Sequence, residues 1–154
     1  MKVAGVISGA LKSSYIYLIM LENYVYIGES GCLPVVRWGS HLNKNGTFLN
    51  NLFNKQLVTM SDAANIFFVG VNCAEVERED PFKQKIARRA IEAELHRRYL
   101  LDPNCFGPDS VLISNPPADP TRFTFSFDPK SLASNVYAEM TSRYQEWSSN
   151  SRNT

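Results

Sequence analysis

The segment from Ser14 to Ile27 does most to limit what this chain can fold into. Two runs rich in strand-forming residues, Ser14–Met20 (SYIYLIM) and Tyr24–Ile27 (YVYI), stand either side of Leu21-Glu22-Asn23. That pattern predicts a tight β-hairpin. Gly28-Glu29-Ser30-Gly31 then breaks the second strand. A third strand is expected at Asn65–Val71 (NIFFVGV), an unbroken apolar run of the kind buried on both faces.

The segments between and after these strands read as helices. Leu33–Leu42 has Pro34 in its first turn and Val35, Val36 and Trp38 among its apolar members, although Gly39 weakens the pattern. Asn43–Asn54 reads as a turn followed by a short helix carrying Phe48, Leu49, Leu52 and Phe53. After an acidic connection at Glu75–Asp80, Pro81 opens the strongest helix of the chain, which runs to Leu100 and stops at Asp102-Pro103-Asn104. Val111–Ser114 is a short strand ended by Asn115-Pro116-Pro117, and Arg122–Phe127 alternates in the manner of another. A C-terminal helix over Pro129–Trp147 precedes a polar tail expected to be disordered. The fold class is therefore α/β, a small central, mainly antiparallel sheet that starts with a β-hairpin and is flanked by helices. Within 154 residues this gives an N-terminal extension (1–13), a core domain (14–117) and a C-terminal strand and helix extension with a flexible tail (118–154).

Composition narrows the function classes. Sixteen Lys and Arg against fifteen Asp and Glu leave a net charge of +1, which argues against binding polyanions through bulk charge. Cys32, Cys73 and Cys105 lie far apart, without a C-x-x-C pair or a His at metal-ligand spacing. Sparse, unpaired thiols suit a reducing compartment, so a cytoplasmic location is expected. No run approaches the ~20 apolar residues of a membrane span.

Tyr15, Tyr17 and Tyr26 on the hairpin are, by themselves, what cross-strand packing favours. The order of the polar residues C-terminal to them gives them weight. Arg37 comes nine residues after Gly28, His41 one helical turn after Arg37, Glu92 lies on the long helix, and an asparagine closes the core. These residues resemble the GIY-YIG endonucleases. Tyr15-Ile16-Tyr17 stands for the first name-giving motif, with Tyr15 in place of its glycine, and Tyr26-Ile27-Gly28 for the second. Glu92, with Leu95 three residues on and Arg97-Arg98-Tyr99 after it, looks like the family's glutamate. The resemblance spans residues 14–117 and implies a GIY-YIG-like nuclease domain that cleaves DNA with Mg2+, for which Mn2+ would substitute.

The residue types suit that chemistry. Phosphodiester hydrolysis needs a base to activate water and a cation to neutralise charge on the phosphoryl oxygens. Tyr17 is the candidate base, with His41 to accept or position its proton, and Tyr26 would hydrogen-bond the attacking water or a phosphate oxygen. The Arg37 fork fits a phosphate clamp, and Glu92 would be the protein ligand of a magnesium ion that keeps several waters. At about 100° per residue, Ile86, Ala87, Ala90 and Ile91 define one side of the long helix. Glu94 falls in the middle of that side and Glu92 opposite, so periodicity nominates Glu94 where the resemblance nominates Glu92. Asn115, at a strand end, is preferred to Asn104 as the site asparagine, hydrogen-bonding backbone near the hairpin.

Despite the near-zero net charge, the basic groups are segregated. Pro81–Tyr99 carries six basic residues against Glu92 and Glu94, and from Gly31 to Ser61 there are Arg37, Lys44 and Lys55 with no acid. Arg37, Lys85, Arg88 and Arg89 are the expected DNA contacts, and the Asn-rich stretch 43–56 is a candidate for base-edge contacts. Three readings stay open: a sequence-specific, restriction-like endonuclease working as a homo-oligomer, a structure-specific repair or recombination nuclease, and a nucleic-acid-binding module without turnover.

Overall fold

The computed structural model describes residues 6–7, 9–43, 45–54, 65–118, 120 and 122–152. The strands are β1 (Val6–Ile7), β2 (Tyr15–Leu21), β3 (Tyr24–Ser30), β4 (Ile66–Asn72) and β5 (Val111–Leu112). The α-helices are α1 (Val35–Leu42), α2 (Thr47–Asn54), α3 (Pro81–Leu101) and α4 (Pro129–Arg152), and 3-10 turns at Ala74–Arg78 and Pro103–Phe106 flank α3. The strands form one mixed sheet in the order β1-β4-β2-β3-β5. The long ladders, β2 with β3 and β2 with β4, are antiparallel, and the two-residue edge strands β1 and β5 pair in parallel.

The hairpin turn is tighter than the sequence suggests, because Leu21 belongs to β2 and only Glu22 and Asn23 remain in the turn. Glu22 has φ 52, a left-handed conformation that disfavours a non-glycine residue. Asn65 compensates: the Glu22 N–H donates to its carbonyl at 3.0 Å, and Glu22 Oε1 accepts its N–H at 2.9 Å. The turn and the start of β4 thus hold each other in register.

Helices cover both faces of the sheet. Ile16, Leu18, Met20, Val25, Ile27, Phe67 and Val69 pack against Ala87, Ile91, Leu95 and Tyr99 of α3 and Ala133, Val136 and Met140 of α4. Tyr17, Ile19, Leu21 and Phe68 face the other way, against Trp38 of α1 and Phe48 of α2. Both Asp128 oxygens accept N–H groups from the first turn of α4, each at 3.1 Å, so an N-cap followed by Pro129 starts that helix cleanly.

Three sequence expectations change. The sheet does not start with the hairpin, because Val6–Ile7 already runs beside Val69–Gly70. Arg122–Phe127 is not a strand: the segment pairs with none of the five strands of the sheet, and its alternating aromatics are taken up by side-chain packing. Phe125 and Phe127 instead stack on each other at 5.6 Å and pack against the core, while Glu79 accepts the Ser126 N–H. Helix α4 also runs past Trp147 to Arg152, into the stretch read as a disordered tail. Among the described residues, no helix is long and apolar enough to cross a membrane.

Candidate active site

Tyr17 lies at the centre of β2 and is 1% exposed. It is opposite Gly28 on β3 and Gly70 on β4, so a glycine flanks it on each neighbouring strand. A Cβ built on Gly28 would lie 2.6 Å from the Tyr17 Cζ and Oη atoms. The aromatic ring therefore lies over Gly28, in space that any side chain at 28 would take. At Gly70 a Cβ would come 3.1 Å from Pro34 Cγ, which is how the start of α1 seats on the sheet.

Helix α1 turns Trp38 and His41 inward. Trp38 stacks on Phe68 with ring centres 4.6 Å apart and meets Tyr17 edge-on at 6.4 Å. One turn later, His41 Nε2 lies 2.6 Å from Tyr17 Oη in a buried hydrogen bond. The ring of Tyr26 lies 4.7 Å from that of His41, nearly parallel to Tyr17 at 6.4 Å, and edge-on to Phe48 at 6.0 Å. Arg37, on the outer side of α1, is exposed.

Burial governs the proton chemistry of this aromatic box. It holds the Tyr17 hydroxyl well above its ordinary range, with Tyr26 and Glu92 adding to it and Arg37 opposing. Tyr26 rises for the same reason, burial first and Glu92 second. The same cause lowers His41, helped by the Arg37 guanidinium. Desolvation disfavours whichever form is charged, so a phenol and an imidazole are both driven towards neutrality. The box therefore favours an un-ionised Tyr17 against a neutral His41.

Glu92, half-buried on α3, joins this field. Its carboxyl is pushed up to about 8, by burial first and by Glu29 second, with Arg89 and Arg37 pulling the other way. Beyond Val25 the outer edge of β3 is no longer paired with β5, and Glu92 is felt by both Tyr17 and Tyr26. A carboxylate held out of water beside a second acid favours a cation. Among the described residues, no three His, Cys, Asp or Glu gather as a metal cage. A single carboxylate of this kind is what an ion such as Mg2+, which takes one or two protein carboxylates and keeps its waters, would require.

Of the expected residues, Tyr17, Tyr26, Arg37, His41 and Glu92 share one electrostatic neighbourhood. Glu94 pairs with Arg97 on its own helix. The Glu94 side chain is nearly buried, as the helical wheel implies, and because Ile86 is only half-buried while Leu95 and Tyr99 are buried, the inward side of α3 also extends towards Glu92. Arg88 lies inside the protein, its Nε donating to Glu29 Oε2 at 2.6 Å with both side chains nearly buried, whereas Lys85 and Arg89 are exposed. Asn115 and Asn104 are both exposed, and Ser114 supplies the hydrogen bond to the hairpin backbone, accepting the Ile27 N–H at 3.0 Å. In the Asn-rich stretch, Asn51 bonds the Ile113 carbonyl and Asn50 that of Asn45, both at 3.1 Å, and Lys44 and Lys55 lie outside the described residues.

Glu29, His96 and Ser114 were not singled out from the sequence. For His96 a signal existed, since it stands four residues after Glu92 on the same helix. For Glu29 and Ser114 only strand register and tertiary contact single them out. Comparisons with protein families, with curated proteins and with solved structures find no match to this chain.

Proposed function

We propose that this chain is a magnesium-dependent DNA endonuclease that hydrolyses phosphodiester bonds with GIY-YIG-like chemistry. The observation that carries the reading is the buried 2.6 Å contact between Tyr17 Oη and His41 Nε2, inside a box whose proton affinities also respond to Tyr26, Arg37 and Glu92. A phenolate is not needed at rest. As Tyr17 Oη takes a proton from the attacking water, its own hydroxyl proton passes to the neutral His41 Nε2, so no buried phenolate accumulates. Tyr26 orients the water or a phosphate oxygen. Exposed Arg37 clamps two phosphate oxygens with its planar fork. Glu92 would hold the magnesium ion, which when bound neutralises charge on the scissile phosphate; manganese would substitute. Arg37, Lys85 and Arg89 present the exposed cations that a DNA backbone requires, with Arg88 behind them holding Glu29.

Incubating the protein with supercoiled plasmid and with branched DNA, with and without Mg2+, tests the reading. Metal-dependent cleavage supports it. Discrete plasmid fragments would indicate a sequence-specific, restriction-like enzyme, and preferential junction cutting a structure-specific repair nuclease. Absence of cleavage on every substrate, with DNA still bound, would replace it by a non-catalytic binding module. Glu92→Ala should abolish cleavage with binding retained; if Glu94→Ala does so instead, the metal-ligand assignment fails.

A further inference from the structure

Ile27, in the middle of the second hairpin motif, is 1% exposed. Its backbone N–H points to the side of β3 from which β5 has already departed: ladder pairing ends at Val25 with Leu112, and the Ile113 N–H makes the last backbone bond there, to Val25 at 2.8 Å. A buried donor cannot be left open at low cost. Ser114 Oγ accepts it at 3.0 Å and lies 2.8 Å from His96 Nε2, while His96 Nδ1 lies 2.8 Å from the carbonyl oxygen of Glu92.

The positions of the hydrogens in this relay are fixed by elimination. The Glu92 carbonyl can only accept, so Nδ1 carries the hydrogen. Nε2 of the neutral ring is then an acceptor, Ser114 donates its hydroxyl to it, and a lone pair of Ser114 Oγ remains for the Ile27 N–H. Every polar atom has a partner although His96 is 1% and Ser114 6% exposed. An apolar pair would fill the space but leave the buried Ile27 N–H without an acceptor. The polar pair satisfies that donor and adds direction.

We infer that His96 and Ser114 are positioning residues that bolt the α3 turn bearing Glu92 to the strand bearing Tyr26. The inference rests on the reading of Glu92 and Tyr26 as site residues. Two measurements on the metal-free protein test it without any cleavage. Long-range 1H–15N NMR should find His96 neutral with its hydrogen on Nδ1. In Ser114→Ala the Ile27 amide should exchange at least about 10-fold faster, with the Tyr26 ring and Glu92 carboxyl resonances displaced and the Leu18 amide unchanged; Ser114→Thr should restore all three. In cleavage assays Ser114→Ala and His96→Leu should each lower kcat about 10–100-fold, at an unchanged KM for DNA, with the double variant no worse than the poorer single one. His96→Gln, which can still accept from Ser114, should recover part of the loss. An Nε2–H tautomer, an unchanged Ile27 amide in Ser114→Ala, or unmoved Tyr26 and Glu92 resonances would overturn the inference; so would a faster Ile27 amide with undiminished kcat. If the wild-type protein cuts no DNA, the nuclease reading falls by itself and the NMR readouts still decide the positioning role.

Discussion

Alternate residues of β2 enter two different environments. Ile16, Leu18 and Met20 meet α3 and α4 in a layer of aliphatic side chains with Phe67 and Val69. Tyr17, one residue away, points into a box of rings that also holds a hydroxyl–imidazole hydrogen bond. The first face removes apolar surface from water and little else, which is what stability needs. The second removes titratable groups from water, which moves phenol and imidazole in opposite directions and leaves both neutral. One strand thus presents an aliphatic face for stability through its even positions and, through Tyr17, a titratable group to the aromatic box.

The sharpest test sets neighbours against each other. Tyr17→Phe should lower cleavage by about 10²–10⁴-fold while costing no more than about 1–3 kcal/mol of stability. Leu18→Ala should destabilise by about 2–5 kcal/mol and leave the turnover of folded molecules unchanged. Cleavage rates and denaturant melts measure both, and an active Tyr17→Phe would break the contrast.

A smaller loss is expected from Gly28→Ala, about 10²-fold in rate, because the new Cβ lands on the Tyr17 ring; overpacking adds about 1–3 kcal/mol of destabilisation. If the rate is unchanged, Tyr17 does not need its observed pose.

Glu92 gives the pH test. Its carboxyl is raised from the ordinary 4.5 to about 8, so the folded protein holds the proton more tightly than the unfolded chain. Ionising it as pH rises through that window works against folding. Glu92→Gln should therefore raise Tm at pH 9 relative to pH 5, by about 2–4 °C for each kcal/mol relieved, while removing cleavage. Wild-type cleavage should rise with pH, with a midpoint near 8 at low magnesium that moves down as magnesium competes with the proton. A midpoint indifferent to magnesium would separate Glu92 from the metal.

The smallest effects belong to the surface. Lys85→Ala or Arg89→Ala should each lower the salt dependence of DNA affinity by about one phosphate contact. Arg88→Ala should leave that dependence unchanged and lower Tm, since Arg88 is paired with Glu29. A reduced salt slope in Arg88→Ala would return that residue to the DNA face.

Much of the fold was legible in local pattern. The hairpin, the third strand and the helices at Pro34, Pro81 and Pro129 carry their own start and stop chemistry, and the structure has each within a few residues of the reading. Arg122–Phe127 shows where local pattern fails: its alternation is real, but a strand is made by its pairing, and here packing holds Phe125 and Phe127 against the core instead. On α3, Glu92 and Glu94 could not be ranked by periodicity, because the helix packs on both the sheet and α4 and buries more than one stripe. The hairpin-backbone bond expected of Asn115 comes from Ser114 for a similar reason, since which side chain faces Ile27 depends on where β5 ends.

The sequence by itself determined the elements, because hydropathy period and caps are local properties of the chain, and its motif resemblance, not periodicity, brought Tyr17, Tyr26, Arg37, His41 and Glu92 forward as a set. Tertiary structure alone decided that Gly28 makes room for the Tyr17 ring, that Arg88 restrains Glu29, and that His96 reaches Ile27 through Ser114. Those relations join residues distant in the chain, and the charge state of each group depends on how far packing takes it from water.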